Sequence, residues 1–194
     1  MRIVVGLGNP GFGYRRTRHN VGFMAVERLS ARWSIDLRRE GGGIRVGHGT
    51  VRDVATILVE PQLFMNRSGE ALVGLRELGH VRDLIVLHDD LDLPAGQLRV
   101  RHGGGSGGHR GVSSLIERFG SDFDRIRIGI GRPPDGLSPV DYVLAELTPE
   151  ELSQWEPVVE LAADAVECLL AEGLVPAMNR FNGRCLGGPA CPEP

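Results

Sequence analysis

The chain contains no lysine; all 22 of its basic residues are arginine. Cysteine is scarce too, and Cys168, Cys185 and Cys191 come late, odd in number and without metal-ligand spacing. They argue against a metal centre and suggest a reducing compartment, which gives a cytoplasmic expectation. No apolar run nears the ~20 residues needed to span a bilayer. Met1-Arg2-Ile3 runs straight into a strand-like stretch, so no signal peptide is expected. The net charge of −3 argues against general coating of nucleic acid, but it hides an asymmetry. Arginines crowd residues 1–39 and 96–132, while Asp135 to Glu172 hold ten acids and no base. Two basic segments of this kind can form one local phosphate-binding face, or simply a solvated arginine surface.

What is present reads as an ordinary globular domain, 41% apolar and 24% charged. At 194 residues it is expected to form one domain over 1–186, with Gly-Gly-Pro-Ala-Cys-Pro-Glu-Pro at 187–194 as a loose tail. Ile3-Val4-Val5 is a strand that opens into a glycine-proline loop and an Arg-Thr-Arg-His-Asn cluster. Helical spacing follows on Val21, Ala25, Leu29 and Trp33. Ile44–Val46 and Val54–Val59 read as a hairpin turning around residues 47–53, and Pro61 ends its second strand. Ser68 caps a helix with a face on Ala71, Leu72, Leu75 and Leu78, stopped by Gly79. Leu84–Leu87 is a wholly apolar central strand that empties into His88-Asp89-Asp90-Leu91-Asp92. Leu98–Arg101 and Ile126–Ile130 read as strands, Val112–Phe119 as a helix and Val140–Leu144 as an edge strand. Thr148-Pro149-Glu150-Glu151 opens a long helix that Gly173 ends. Strands alternating with helices, joined by both hairpins and crossovers, give a three-layer α/β/α fold with a mixed, mostly parallel twisted sheet.

Several stretches carry chemistry. Gly6-x-Gly8-x-x-Gly11 after a strand matches a dinucleotide fingerprint, with Asp36, Arg38 and Arg39 placed for an NADP ribose. That oxidoreductase reading needs a helix to start inside the glycine run, and Pro10, Gly11 and Gly13 interrupt one. His88-Asp89-Asp90-x-Asp92 has the density of a hard-cation site, yet strand-end acids also cap helices and hold histidines. If the strand continues, Asp89 and Asp90 face opposite ways. His19 stands just before a helix start; a neutral imidazole suits the removal of a proton from water, and a carboxylate such as Asp89 would fix its tautomer. Asn66, in Phe64-Met65-Asn66 after a strand, is a turn residue or an amide donor for a developing oxyanion. The glycine loop 103–108 lacks the lysine of an NTPase loop, which leaves a hinge or a phosphate site beside Arg99 and Arg101.

Taken together these stretches resemble bacterial-type peptidyl-tRNA hydrolase. The matching pieces are Val5-Gly6-Leu7-Gly8-Asn9-Pro10-Gly11, Tyr14-x-x-Thr17-Arg18-His19-Asn20, Phe64-Met65-Asn66-x-Ser68-Gly69 and His88 to Pro94. The glycine loop through His109 and Arg127-Ile128-Gly129-Ile130-Gly131 complete the set, in the family's order. The resemblance implies hydrolysis of the ester joining a peptide to the terminal ribose of tRNA, by a monomer without cofactor or metal. It implies His19 as general base, Asp89 as its orienting acid, Asn9 as discriminator of N-blocked esters, and Asn66 as holder of the peptide or water. Tyr14 and Phe64 are implied as contacts to the terminal nucleotide and peptide, and Arg99 and Arg101 as contacts to tRNA phosphates. His109 and Arg127 belong to the implied substrate-binding set. Arg110 stands where the family often has asparagine, so an amide contact there is replaced by a possible phosphate contact. A non-catalytic RNA-binding homologue is the alternative that the same fold allows.

Overall fold

The computed structural model describes residues 1–74 and 80–186. Its strands are β1 (Arg2–Gly6), β2 (Arg38–Glu40), β3 (Ile44–Val51), β4 (Val54–Pro61), β5 (Leu84–Asp90), β6 (Leu98–His102) and β7 (Asp124–Gly129). They form one sheet in the order β2-β3-β4-β1-β5-β7-β6. The central pairings, β1 with β4 and β5 and β5 with β7, are parallel. The outer pairings are antiparallel. Crossovers therefore build the middle of the sheet, while short turns join β2, β3 and β4 at one edge and α3 links the antiparallel pair β6 and β7 at the other.

The described helices are α1 (Val21–Trp33), α2 (Ser68–Ala71), α3 (Arg110–Phe119), α4 (Pro139–Leu144), α5 (Pro149–Glu172) and α6 (Leu174–Phe181). Strand alternation divides the apolar residues between two cores. Val4, Leu58, Ile85, Leu87, Ile126 and Ile128 pack under α1, α5 and α6. Ile3, Val5, Val59 and Val86 pack on the other face with Val112 and Leu115 of α3. At the start of α5, Thr148 Oγ1 accepts from the Glu151 amide while the Glu151 carboxylate accepts from the Thr148 amide. That reciprocal cap fixes where the helix begins.

The structure changes several expectations. Val140–Leu144 is not an edge strand but lies in α4. Pro139 sits in its first turn, Ser138 Oγ accepts from the Asp141 amide, and six residues are too few to reveal a period. The hairpin turn is tighter than residues 47–53: Arg52 and Asp53 alone turn the chain, at φ 48° and 65°. β2 and α6 were not anticipated; β2 is three exposed residues with no alternation to read. Cys168 is buried and free, but Cys185 is disulfide-bonded, which removes it from the thiols read as reduced. Leu75, Leu78, Gly79 and the tail at 187–194 lie outside the described residues. Among the described residues no helix is long and apolar enough to cross a membrane.

One contact positions the candidate site. A Cβ on Gly22 would stand 2.5 Å from both Leu7 O and Leu87 O, and one on Gly6 2.3 Å from Gly22 O. The first turn of α1 thus rests on the backbone at the carboxyl ends of β1 and β5, a distance only glycine permits. Gly22→Ala is expected to lower stability by about 1–3 kcal/mol, or roughly 2–12 °C in melting temperature, measured by thermal unfolding. An unchanged melting temperature would show that the helix can lift off without cost.

Candidate active site

β5 does not stop at Leu87. It runs through His88, Asp89 and Asp90, so period two sends the two acids to opposite sides. Asp90 Oδ2 accepts from Arg127 Nε at 2.5 Å. Asp89, 4% exposed, meets two imidazoles. His19 Nδ1 lies 2.9 Å from both of its oxygens, and His109 Nε2 lies 2.8 Å from Oδ1. A carboxylate only accepts, so both ring nitrogens donate. His109 is also the N-cap of α3, its Nδ1 accepting from the Val112 amide at 3.2 Å. The two contacts together assign its tautomer, with the proton on Nε2. His19, with its Nδ1 proton committed to Asp89, keeps the Nε2 lone pair as its free basic site.

Electrostatics favours the same arrangement. Burial by itself pushes the Asp89 carboxyl up, but His109 and His19 outweigh it and hold the group below the usual carboxylate range. Next along β5, His88 is buried at 2% exposure, with Nδ1 donating to the Asp89 carbonyl at 2.7 Å. Burial, followed by the nearby His109, lowers His88 to about 3 and keeps it neutral. Its ring stands edge-on to His109, with centroids 4.9 Å apart, and backs the imidazole that holds Asp89.

A cavity of about 460 Å³ opens over this cluster, with His19, Asn9, Asn66, Phe64 and Arg110 in its lining. Asn9 is clamped. Its amide N–H donates to Asn20 Oδ1 and its carbonyl accepts from Asn20 Nδ2, each at 2.9 Å. Asn9 Oδ1 accepts from the Met65 amide at 2.8 Å, so its Nδ2 protons are what remain for a ligand. Asn66 sits on the 3-10 turn Met65–Arg67, exposed, directly after the Met65 whose amide meets Asn9. Val140, Val143 and Leu144 of α4 make an apolar wall. The fourth side is the glycine loop, tied down by Arg125, which donates to Gly105 O at 2.6 Å and Gly104 O at 2.5 Å.

Sequence reasoning placed His19, Asp89, Asn9, Asn66, Phe64, His109 and Arg110, and the structure brings all seven to one cavity. His109 touches Asp89 rather than standing apart as a substrate contact. Tyr14 lies in a 3-10 turn outside the cavity lining. Arg99 is exposed on edge strand β6, and Arg101 packs on Gly104. The register pairs Arg99 with Arg127 and Arg101 with Arg125, so four guanidinium groups share one face of β6 and β7. Burial, with Arg101 and Arg127 nearby, lowers Arg125 to about 10. Sequence reasoning missed the roles of His88 and Arg125. The pairing signal of Arg125 with Arg101 was present only as alternation along two separate strands.

The dinucleotide possibility is answered by geometry. α1 starts at Val21, ten residues past Gly11, so no helix N-terminus meets the glycine run as a dinucleotide would need. His19, Asp89 and His109 hold donor atoms within 4.8 Å of one another, as a metal site would. Those nitrogens already share their protons with Asp89, so a cation would have to displace both protons. His109→Ala is expected to lower turnover by about 10- to 100-fold, the kinetic equivalent of one lost charge-assisted hydrogen bond. Normal turnover in the variant would remove His109 from the support of Asp89.

Comparison with known proteins places the chain. A family model described as "Peptidyl-tRNA hydrolase" matches residues 3–187. The peptidyl-tRNA hydrolase of Bacillus subtilis is 46% identical over 187 residues, 95% of this chain and 100% of that protein. That of Chloroflexus aggregans is 45% identical over 186 residues, 94% of this chain and 99% of its own. The crystal structure of the Acinetobacter baumannii peptidyl-tRNA hydrolase superposes with a TM-score of 0.87 at 35% identity, covering 95% of this chain and 96% of that one.

Proposed function

The chain belongs to the peptidyl-tRNA hydrolase family and hydrolyses peptidyl-tRNA, and we propose that His19 is the general base of that reaction. The observation that carries the proposal is the His19 Nδ1 contact to both oxygens of buried Asp89. With that proton held, Nε2 faces the cavity as an acceptor. It takes a proton from water as the oxygen attacks the ester carbonyl. Asp89 then stabilises the imidazolium it faces, as a carboxylate does in related acid–base pairs. When the tetrahedral intermediate collapses, the bond from the carbonyl carbon to the ribose oxygen breaks. The ribose oxygen takes the proton from the imidazolium. Peptide acid and free tRNA leave.

The amides supply the rest. Asn66 stands at the lip, where its side chain can donate to the developing oxyanion or hold the water. Asn9 presents N–H groups only, which suit the carbonyl of an N-blocked residue. A free aminoacyl ester offers an ammonium there, which cannot accept. Phe64, 57% exposed at the rim, offers a ring to a nucleobase or an apolar side chain. Arg99 and Arg101, with Arg110 nearer the cavity, supply charge for the acceptor-stem phosphates. Arg127 contributes through Asp90 rather than by direct reach. A substrate made on ribosomes puts the reaction in the cytoplasm. One chain supplies every group named, which fits action as a monomer.

His19→Ala is expected to slow release of tRNA from N-acetylaminoacyl-tRNA by about 10²- to 10⁴-fold, with tRNA affinity largely kept. Near-normal release would take the base role from His19, and no release by the wild type would leave only an RNA-binding protein. Arg99→Ala combined with Arg101→Ala should weaken tRNA binding and flatten its dependence on salt. An unchanged slope of log affinity against log salt would exclude both residues as phosphate contacts.

A further inference from the structure

A second cavity, of about 350 Å³, lies on the far side of Asn9, between the start of α1 and strands β2 to β4. The two cavities share Asn9 as a wall. Its lining is charged, unlike that of a packing defect: Arg15, Arg39, Arg45, Glu27 and Glu60 all reach it, with Phe12 at the rim. Glu60 lies at its floor with a side-chain exposure of 0%. Its Oε2 accepts from Arg45 Nη1 at 2.6 Å, and Arg45 also lies 3.5 Å from Glu27. Glu60 Oε1 is buried and has no partner. Arg15 and Arg39 are exposed, and among the described residues no carboxylate lies within ion-pair distance of either. The cavity therefore has two cations at its mouth with no carboxylate in ion-pair distance, above a Glu60 carboxyl that burial pushes up to about 7. That combination fits an extended chain bearing negative side chains.

Its position says which part of the substrate such a chain is. The argument rests on the hydrolase reading above. The four-arginine face of β6 and β7 lies at one end of the sheet, and the second cavity borders β2, β3 and β4 at the other. His19 and Asp89 stand between them, over β1 and β5. An ester held at His19 with its RNA toward β6 must send its acyl chain toward Asn9 and the cavity beyond it. We propose that this cavity is a peptide subsite that takes residues upstream of the ester-linked one and favours acidic side chains through Arg15 and Arg39. The enzyme thus reads part of the peptide, and not only the blocked ester.

The test compares peptidyl-tRNAs that differ upstream of the ester-linked residue, carrying aspartate, alanine or lysine there, alongside N-acetylaminoacyl-tRNA. The last is too short to pass Asn9. In the wild type the aspartate substrates should have kcat/KM up to about five-fold higher than alanine per acid, the scale of an exposed charge pair, with lysine below alanine. The gain should sit in KM and shrink as salt rises. Arg15→Ala with Arg39→Ala, both on exposed side chains, should abolish the ranking while leaving cleavage of the short substrate unchanged. Equal rates for the three peptides in the wild type would overturn the subsite. So would a ranking that survives the double substitution. An equal loss on the short substrate would assign the two arginines to RNA and overturn it as well. Cleavage of the short substrate by the wild type reports separately on the hydrolase reading.

Discussion

Much of this molecule follows from how closely α1 approaches the sheet. Gly22 has no room for a side chain because a Cβ there would stand 2.5 Å from the carbonyl oxygens of Leu7, just past β1, and of Leu87 in the adjacent parallel strand β5. That contact sets the height of the turn just before the helix, Arg18–Asn20, above the strand ends. His19 is thereby held within hydrogen-bonding distance of an acid seventy residues away in sequence. The same seating lets Asn20 close on the backbone of Asn9, so that one helix start fixes both the imidazole and the neighbouring amide. The pocket's loop residues are thus tied by hydrogen bonds and close backbone contacts to the strands beneath them.

The second constraint is electrostatic. A carboxylate buried as deeply as Asp89 is costly unless its lone pairs are occupied. Two imidazoles occupy them, and each is held by its other side or by its backbone setting. The arrangement satisfies the acid and at the same time fixes where protons reside on both rings. The hydrogen bonds that satisfy the buried acid are the same ones that set the tautomers of the two rings. Asp90, one residue on, illustrates the contrast: it faces the other way, pairs with Arg127 and helps hold β5 to β7. The distribution of arginine extends the logic outward. One cluster lies on β6 and β7, another around β2 and β3, and the reacting bond belongs between them.

Legibility in the sequence tracked the range of the interactions. The span of α1, the cap at Thr148 and Glu151, and the central strand at Leu84 depend on neighbours within a few residues, and they could be read directly. The opposite facing of Asp89 and Asp90 followed from strand period alone. Val140–Leu144 was misread because one and a half helical turns carry no more pattern than a short strand, and only the Ser138 cap distinguishes them. His88 looked like part of an acidic cluster, yet its role comes from burial against His109, which no spacing reveals. Arg125 was counted as one more positive charge, although it is buried and holds the glycine loop.

The order of motifs along the chain was enough to identify the family and the α/β class, and to single out His19, Asp89, Asn9 and Asn66, which line one cavity, because each is embedded in a local pattern of turn, cap or strand end. Tertiary structure alone decided that His109 completes the hydrogen bonding of Asp89, that α4 closes the cavity as a helix, and that Glu60 and three arginines meet beyond Asn9. Those facts depend on which strands lie side by side and how near one backbone can come to another. Such distances are set by packing across the sheet, where residues far apart in sequence meet, and a linear pattern does not encode them.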